Sequence, residues 1–240
     1  MFSALSGLRR RYLQSRHQGI PFTAPVVVIG NISVGGSGKT PLIIALVRAL
    51  HEKGYSVGVV SRGYSGKAQS YPLVVTHSTP VSESGDEPLL IASSCGCPVV
   101  VDPNRANAVR SLIELFSCDL ILSDDGLQHY RMHRDVEVAV IDATRGLGNR
   151  FTLPAGPLRE PHKRLDEVDM VVRNGGGNEM SDSDKSGKTS HVQLIPVGLR
   201  KFGSDHLITL DEWVDSMSVH AVAGIGHPER FAITLMDMGF

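Results

Sequence analysis

Residues Val26 to Gly30 are a short apolar β-type run, followed by a glycine-rich turn, Lys39-Thr40 and an apolar stretch with helical spacing. Strand, turn and helix amino terminus in this order are the arrangement of a phosphate-binding P-loop, and few folds can accommodate it. Within a nucleotide-binding stretch of Ser33, Val34, Gly35, Gly36, Ser37, Gly38, Lys39 and Thr40, the main-chain N–H groups from Gly35 to Thr40 are expected to converge on the β-phosphate, helped by the positive end of the helix dipole. Lys39 would bridge the terminal phosphates, and the Thr40 hydroxyl would ligate Mg²⁺. Pro41 is tolerated because first-turn N–H groups have no intrahelical acceptor. Ser33 stands where the motif usually has its first glycine. Val34 stands where deviant P-loops of the partitioning-ATPase type carry a second lysine, which disfavours that subgroup.

From this point the chain alternates β-rich runs with helical stretches, the pattern of a parallel sheet covered on both faces. Strands are expected at Val26–Gly30, Val57–Ser61, Pro98–Asp102, Leu120–Ser123, Val136–Asp142 and Val168–Arg173, with helices over 39–52, 88–95 and 104–117. The fold class is α/β: a P-loop NTPase-like, doubly wound, mostly parallel sheet. Ligands in such sheets collect at the carboxyl ends of strands, so residues just after each strand are the first candidates for a site. Residues 175–190 are rich in glycine, serine and charge and read as a flexible linker. Beyond it, strands are expected at Val192–Val197 and Val219–Ala223 and a helix at Pro228–Met238, the start of a second lobe.

Bulk properties remove several classes of function. With 240 residues and a net charge of −1, the chain can bury one substantial core but lacks the basic surplus of a nucleic-acid protein. Cys95, Cys97 and Cys118 cannot all pair and lack zinc-site spacing, which fits a reducing cytosol. No apolar run approaches the roughly 20 residues that cross a bilayer. Residues 1–20 form an amphipathic segment in which Phe2, Leu5, Leu8, Tyr12 and Leu13 accompany Arg9, Arg10, Arg11 and Arg16, with no acid. Such a segment either lies on anionic lipid or docks on the domain.

A P-loop normally faces a carboxylate at the end of a neighbouring apolar strand. Leu120 to Gly126 supplies Asp124 and Asp125, with Gln128 and His129 close behind. Asp86 opens an apolar helix, where it either caps the helix or takes the proton of an acceptor hydroxyl. The proline-stiffened run from Leu153 to Pro161 presents Arg159 and Glu160, either as a phosphate brace and a member of the metal shell or as a surface ion pair. Arg62 and Arg105 follow strands and are candidates to bind an anionic acceptor.

These residues resemble the tetraacyldisaccharide 4'-kinases, which phosphorylate the lipid A precursor. The resemblance rests on Val28 to Pro41, Ser61 to Tyr64, Gly85 to Pro88, Asp124 to His129, Leu153 to Pro161 and Gly224 to Phe231. It implies transfer of the ATP γ-phosphate, with Mg²⁺, to the 4'-hydroxyl of a tetraacyl disaccharide 1-phosphate at the cytoplasmic face of the bacterial inner membrane. It casts Lys39, Asp86, Asp125 and His129 as catalytic. Thr40, Asp124 and Glu160 become the metal residues, and Arg62, Arg105 and Arg159 the substrate-binding ones. Residues 21–174 become the kinase domain, and 1–20 a membrane-contact helix. Family members also carry an Asp-His-His element supplying a histidine paired with the catalytic Asp; none occurs before Phe240, so residues 191–240 are expected to be an incomplete second lobe. The alternatives are a nucleotide-binding member without catalysis, or a GTPase-type metallochaperone. For the latter, Arg173-Asn174 only faintly echoes the guanine-reading Asn-Lys-x-Asp segment.

Overall fold

A computed structural model describes residues 12–13, 21–176, 187–200, 207–209, 219–224 and 228–240. The first strand, β1 (Val26–Gly30), leads through the glycine-rich turn into α1 (Lys39–Glu52), then β2 (Val57–Ser61) and β3 (Leu73–Val75). There follow α2 (Val81–Ser84), α3 (Asp86–Cys95), β4 (Val99–Val101), α4 (Arg105–Phe116), β5 (Leu120–Asp124) and β6 (Val136–Asp142). After a short 3₁₀ helix, His162–Asp166, come β7 (Met170–Asn174), β8 (Thr189–Val192), β9 (Gly198–Arg200), β10 (Leu207–Thr209) and α5 (Pro228–Asp237).

Eight strands form one sheet in the order β3-β4-β2-β5-β1-β6-β7-β8, parallel except for the antiparallel edge pair of β3 with β4. The valine-rich central strands are buried on both faces, β2 and β4 at every residue, as a sheet covered on both sides requires. One apolar layer packs Val28, Val60, Val100, Leu112 and Ile121 against α4, and the other packs Ile29, Val59, Leu122 and Ile91 with Ile43 and Val47 of α1. Lys39, Thr40, Ile43 and Val47 are all buried, so the helix face that packs on the sheet also carries the P-loop lysine. The chain winds outward from β1 through β2, returns at β5, and crosses to β6 on the opposite side. The switch point therefore lies at β1, between β5 and β6, where an open α/β sheet forms its ligand crevice.

Six strands and three helices of this layer stand where the sequence pattern put them, within two residues at each end. The β3 edge was not expected: three residues after a proline are too short to show a period. The strand expected at Val192–Val197 is instead Thr189–Val192, four residues of mixed polarity that pair in parallel with β7. Val219–Ala223 forms no strand, and a hairpin of β9 with β10 occurs where none was expected. Its three-residue strands satisfy their backbone groups across the pair without a long apolar run.

The described residues fall into two units, one ending at Val192 and a second running from Gln193 to Phe240. The second holds the β9–β10 hairpin and α5. Of the expected amphipathic segment, Tyr12 and Leu13 are helical and Leu13 is buried; the rest lies outside the described residues, as does 177–186 of the expected linker. All three cysteines are free thiols. No helix among the described residues is long and apolar enough to cross a membrane.

Candidate active site

The P-loop is held on both flanks. On one side the proline-stiffened loop lies along its first half: Val34 N–H donates to the Pro157 carbonyl at 2.9 Å and Arg159 N–H to the Ile32 carbonyl at 2.6 Å. Ser33 pairs with Leu158 as an antiparallel bridge and has no positive φ, so a serine can replace the usual glycine. The Asn31 side chain donates to the Gly35 carbonyl at 3.2 Å, and Gln128 Nε2 to the Asn31 carbonyl at 3.0 Å. On the other flank, Arg145 Nη2 donates to the Val34 carbonyl at 3.0 Å and Asn174 Nδ2 to the Ser37 carbonyl at 3.1 Å. Gly38 cannot be replaced: its φ is +84°, and a Cβ there would lie 2.0 Å from Asn174 Nδ2. A Cβ at Gly36 would meet nothing within 4 Å, so only an incoming ligand calls for glycine at that position.

The acidic pair splits into two environments. Asp124, at the end of β5, is 1% exposed. Its Oδ2 accepts from Ser61 Oγ at 3.2 Å, while Oδ1 is buried without a hydrogen-bond partner. Burial, reinforced by Glu87, pushes its carboxyl up to about 6. Asp125 adopts the left-handed conformation, φ +47°, which turns its carboxylate to Lys39 Nζ at 3.4 Å and Arg159 Nη1 at 2.9 Å. Burial would raise this carboxyl, but the two cations outweigh it and hold it below the ordinary carboxylate range.

Asp86 does not cap α3. Gly85, with φ +84° and ψ 164°, occupies the cap position and no side chain caps the helix. A Cβ there would meet the Tyr64 carbonyl at 2.6 Å, so the Gly63–Gly66 turn fixes where α3 begins. Asp86 itself is exposed in the first turn and, among the described residues, accepts only the N–H of Glu87, at 3.0 Å. Its neighbour Glu87, which sequence reasoning passed over, is held above the ordinary carboxylate range by partial burial and by Asp86 and Asp125, against Lys39 and Arg159. Through Glu87 the start of α3 shares the electrostatic environment of the Lys39–Asp125–Arg159 cluster.

His129 is held down to about 4 by burial and by the positive charges of Arg105, Arg134, Arg131 and Arg62, so it is neutral at pH 7. Arg62 is exposed. Arg105, expected to meet an anionic acceptor, is 3% exposed, and its guanidinium is turned inward to the carbonyls of Asp102 at 3.3 Å and Asp124 at 3.1 Å. It ties β4 to β5 and adds positive potential from behind the site.

Glu160, expected in the metal shell, is buried within a network of polar side chains. Its Oε1 accepts from Gln128 Nε2 at 2.8 Å, and its Oε2 accepts from the Tyr130 hydroxyl and faces Arg164 Nε at 3.5 Å. Arg164 also pairs with Glu137 at 2.5 Å, and Glu137 with Arg134 at 2.9 Å. Arg134 in turn donates to the carbonyls of Leu127, at 3.1 Å, and His129, at 2.5 Å. Two of the roughly four lone-pair sites of the Glu160 carboxylate are thus taken by hydrogen bonds within the protein. Among the described residues no cluster of three or more His, Cys, Asp or Glu could hold a metal. The orphaned Asp124 Oδ1 and the Thr40 hydroxyl are hard oxygen donors, and two such groups suit Mg²⁺, which keeps most of its shell as water and phosphate oxygens.

Arg145, Glu87 and Arg164 were missed in the sequence, as was the hold of Asn174 on the P-loop. Arg145 and Asn174 follow strand ends, where the crevice rule pointed. Glu87 adjoins a residue already singled out, and only Arg164 carries no local signal.

The family model for Tetraacyldisaccharide-1-P 4'-kinase matches residues 1–240. The chain is 49% identical over 227 residues to the tetraacyldisaccharide 4'-kinase of Stutzerimonas stutzeri, covering 95% of this chain and 66% of that protein. It is 47% identical over 215 residues to the Haemophilus influenzae protein of the same name, covering 90% and 62%. The chain thus spans a little under two thirds of the length of these curated relatives. A crystal structure of LpxK from Aquifex aeolicus in complex with ATP superposes with a TM-score of 0.64 at 31% identity, covering 72% of this chain and 55% of that one. Fold, P-loop geometry and sequence agree, and the chain belongs to the tetraacyldisaccharide-1-P 4'-kinase family.

Proposed function

We propose that this chain carries the nucleotide half of a lipid sugar kinase, which transfers the γ-phosphoryl group of ATP to the 4'-hydroxyl of a tetraacyldisaccharide 1-phosphate. The observation that carries this reading is the Lys39–Asp125–Arg159 cluster at the mouth of a P-loop, with Glu87 electrostatically coupled to it and Asp86 coupled to Glu87. Nucleotide binding alone would not need the acids of α3.

The P-loop N–H groups cradle the β- and γ-phosphates, and Lys39 leaves Asp125 in part to bridge them. Thr40 and Asp124 would hold Mg²⁺, which would offset charge on the phosphate oxygens. Asp86, free of any capping duty, accepts the proton of the 4'-hydroxyl as that oxygen bonds to the γ-phosphorus. The bond from the γ-phosphorus to the β–γ bridging oxygen breaks, and ADP departs. Arg159 steadies the transferring group. Arg62 faces the acceptor's anionic end, Arg105 adds its charge from beneath, and neutral His129 supplies a hydrogen bond without competing for the proton. An anionic, acylated acceptor gives the basic segment 1–20 its use as a peripheral contact with the cytoplasmic face of the inner membrane.

Incubation with γ-labelled ATP, Mg²⁺ and detergent-dispersed tetraacyldisaccharide 1-phosphate tests the proposal. Label should appear on the lipid, and Asp86→Asn should cut the rate about 10²–10⁴-fold while leaving ATP affinity intact. Protein that binds ATP and never labels the lipid would overturn the kinase reading.

A further inference from the structure

Arg145 stands in the loop after β6, where Asp142 Oδ1 accepts the backbone N–H groups of Thr144 at 3.0 Å and of Arg145 at 3.1 Å. That turn lays the guanidinium on the P-loop. Nη2 donates to the Val34 carbonyl, and a Cβ placed on Gly35 would lie 2.8 Å from Nη1 and 3.0 Å from Nη2. Gly35, at φ +93°, is therefore a glycine for a steric reason as well as a conformational one. Arg145 is half-buried as a residue. Among the described residues it makes no ion pair, and its Nε and Nη1 donate to nothing.

A guanidinium brought out of water and left without a carboxylate is unfavourable unless an anion completes it. Lys39 and Arg159 both share Asp125, so their charge is partly spent within the protein. The charge of Arg145 is not, and it lies at the mouth of the loop that receives a polyanion. Val34 occupies the position that holds a second lysine in deviant P-loops; here the cation arrives from β6 and binds that residue's carbonyl.

We propose that Arg145 is a nucleotide-binding residue whose uncommitted donors engage a phosphate oxygen of a bound nucleoside triphosphate, as a second cation beside Lys39. The proposal rests only on the ATP-binding part of the function proposed above, so its test requires no lipid. Dissociation constants for ATP–Mg²⁺ and ADP–Mg²⁺ are measured by titration calorimetry on the full chain, for wild type, Arg145→Ala, Arg145→Gln and Arg145→Lys. Thermal unfolding of each variant checks the fold.

Loss of one charge-assisted hydrogen bond should weaken ATP binding about ten- to a hundredfold in Arg145→Ala. Arg145→Gln can still donate to the Val34 carbonyl but has no charge, and it should bind as weakly as alanine; Arg145→Lys should recover part of the loss. Wild-type affinity in Arg145→Gln would reduce the residue to a loop brace and overturn the proposal, and so would wild-type affinity in Arg145→Ala. A wild-type chain that binds no ATP would instead remove the nucleotide reading itself.

Discussion

Protonation at buried Asp124 and partly buried His129 gives the site a pH signature of its own. His129, held down to about 4, lies below the roughly 6.5 of an unconstrained imidazole. As the pH falls the unfolded chain takes that proton first, so the stability due to His129 is full above about pH 6.5 and is lost as the pH drops toward 4. Asp124, raised to about 6 by burial, behaves oppositely. The folded chain takes its proton first, so its contribution is full below about pH 4 and is lost as the pH rises through 6. In the wild type the two oppose each other across this interval. In nucleotide-free protein with chelator, Asp124→Asn should therefore make the urea midpoint climb more steeply from pH 4 to 6.5, and His129→Asn should flatten or reverse the climb. Wild-type slopes in both variants would remove the assignment.

At the scale of elements, the buried chain Glu160–Arg164–Glu137–Arg134 joins the loop after β5, the start of β6 and the proline-stiffened loop. Each charge is tolerable because its neighbour compensates it, and removal of one partner strands another in low dielectric. Arg164→Met should cost about 3 kcal/mol in urea unfolding, because it takes the cation from buried Glu160 and leaves Glu137 with Arg134 alone. Glu160→Gln should also lower stability, yet leave unchanged the Mg²⁺ concentration that gives half-maximal turnover. A raised Mg²⁺ requirement in that variant would return Glu160 to the metal shell. The brace was illegible in the sequence for a physical reason. Glu160 adjoins Arg159, which suggested a local pair, whereas its actual partners include Gln128 and Tyr130, 32 and 30 residues away. By contrast β1, β2, β5 and β6 were plain, because strands buried on both faces must be apolar at nearly every position. The strands β3, β8, β9 and β10 have three or four residues each, too few to carry a period, and they form by pairing with neighbours that the sequence does not name.

For the whole molecule, the strand order matters more than any single motif. Placing β5 and β6 on either side of β1 brings Asp124, the P-loop and Asp142 to one edge, and β7 adds Asn174 against Gly38. The crevice rule located this edge from the sequence, but the clasp on the P-loop by Arg145 and Asn174 depends on which strands become neighbours. Every described group that touches the P-loop lies between Asn31 and Asn174, within the unit that ends at Val192. That unit holds the whole eight-stranded sheet and both apolar layers, which is what independent folding requires. A chain ending at Val192 should therefore fold cooperatively and bind ATP–Mg²⁺ with a dissociation constant within about threefold of the 240-residue chain. Gly38→Ala, introduced into either form, should abolish binding, because its left-handed φ and the Asn174 amide leave no room for a Cβ. A loss of more than about tenfold in the shorter chain, with its unfolding still cooperative, would show that Gln193–Phe240 contributes to the nucleotide site.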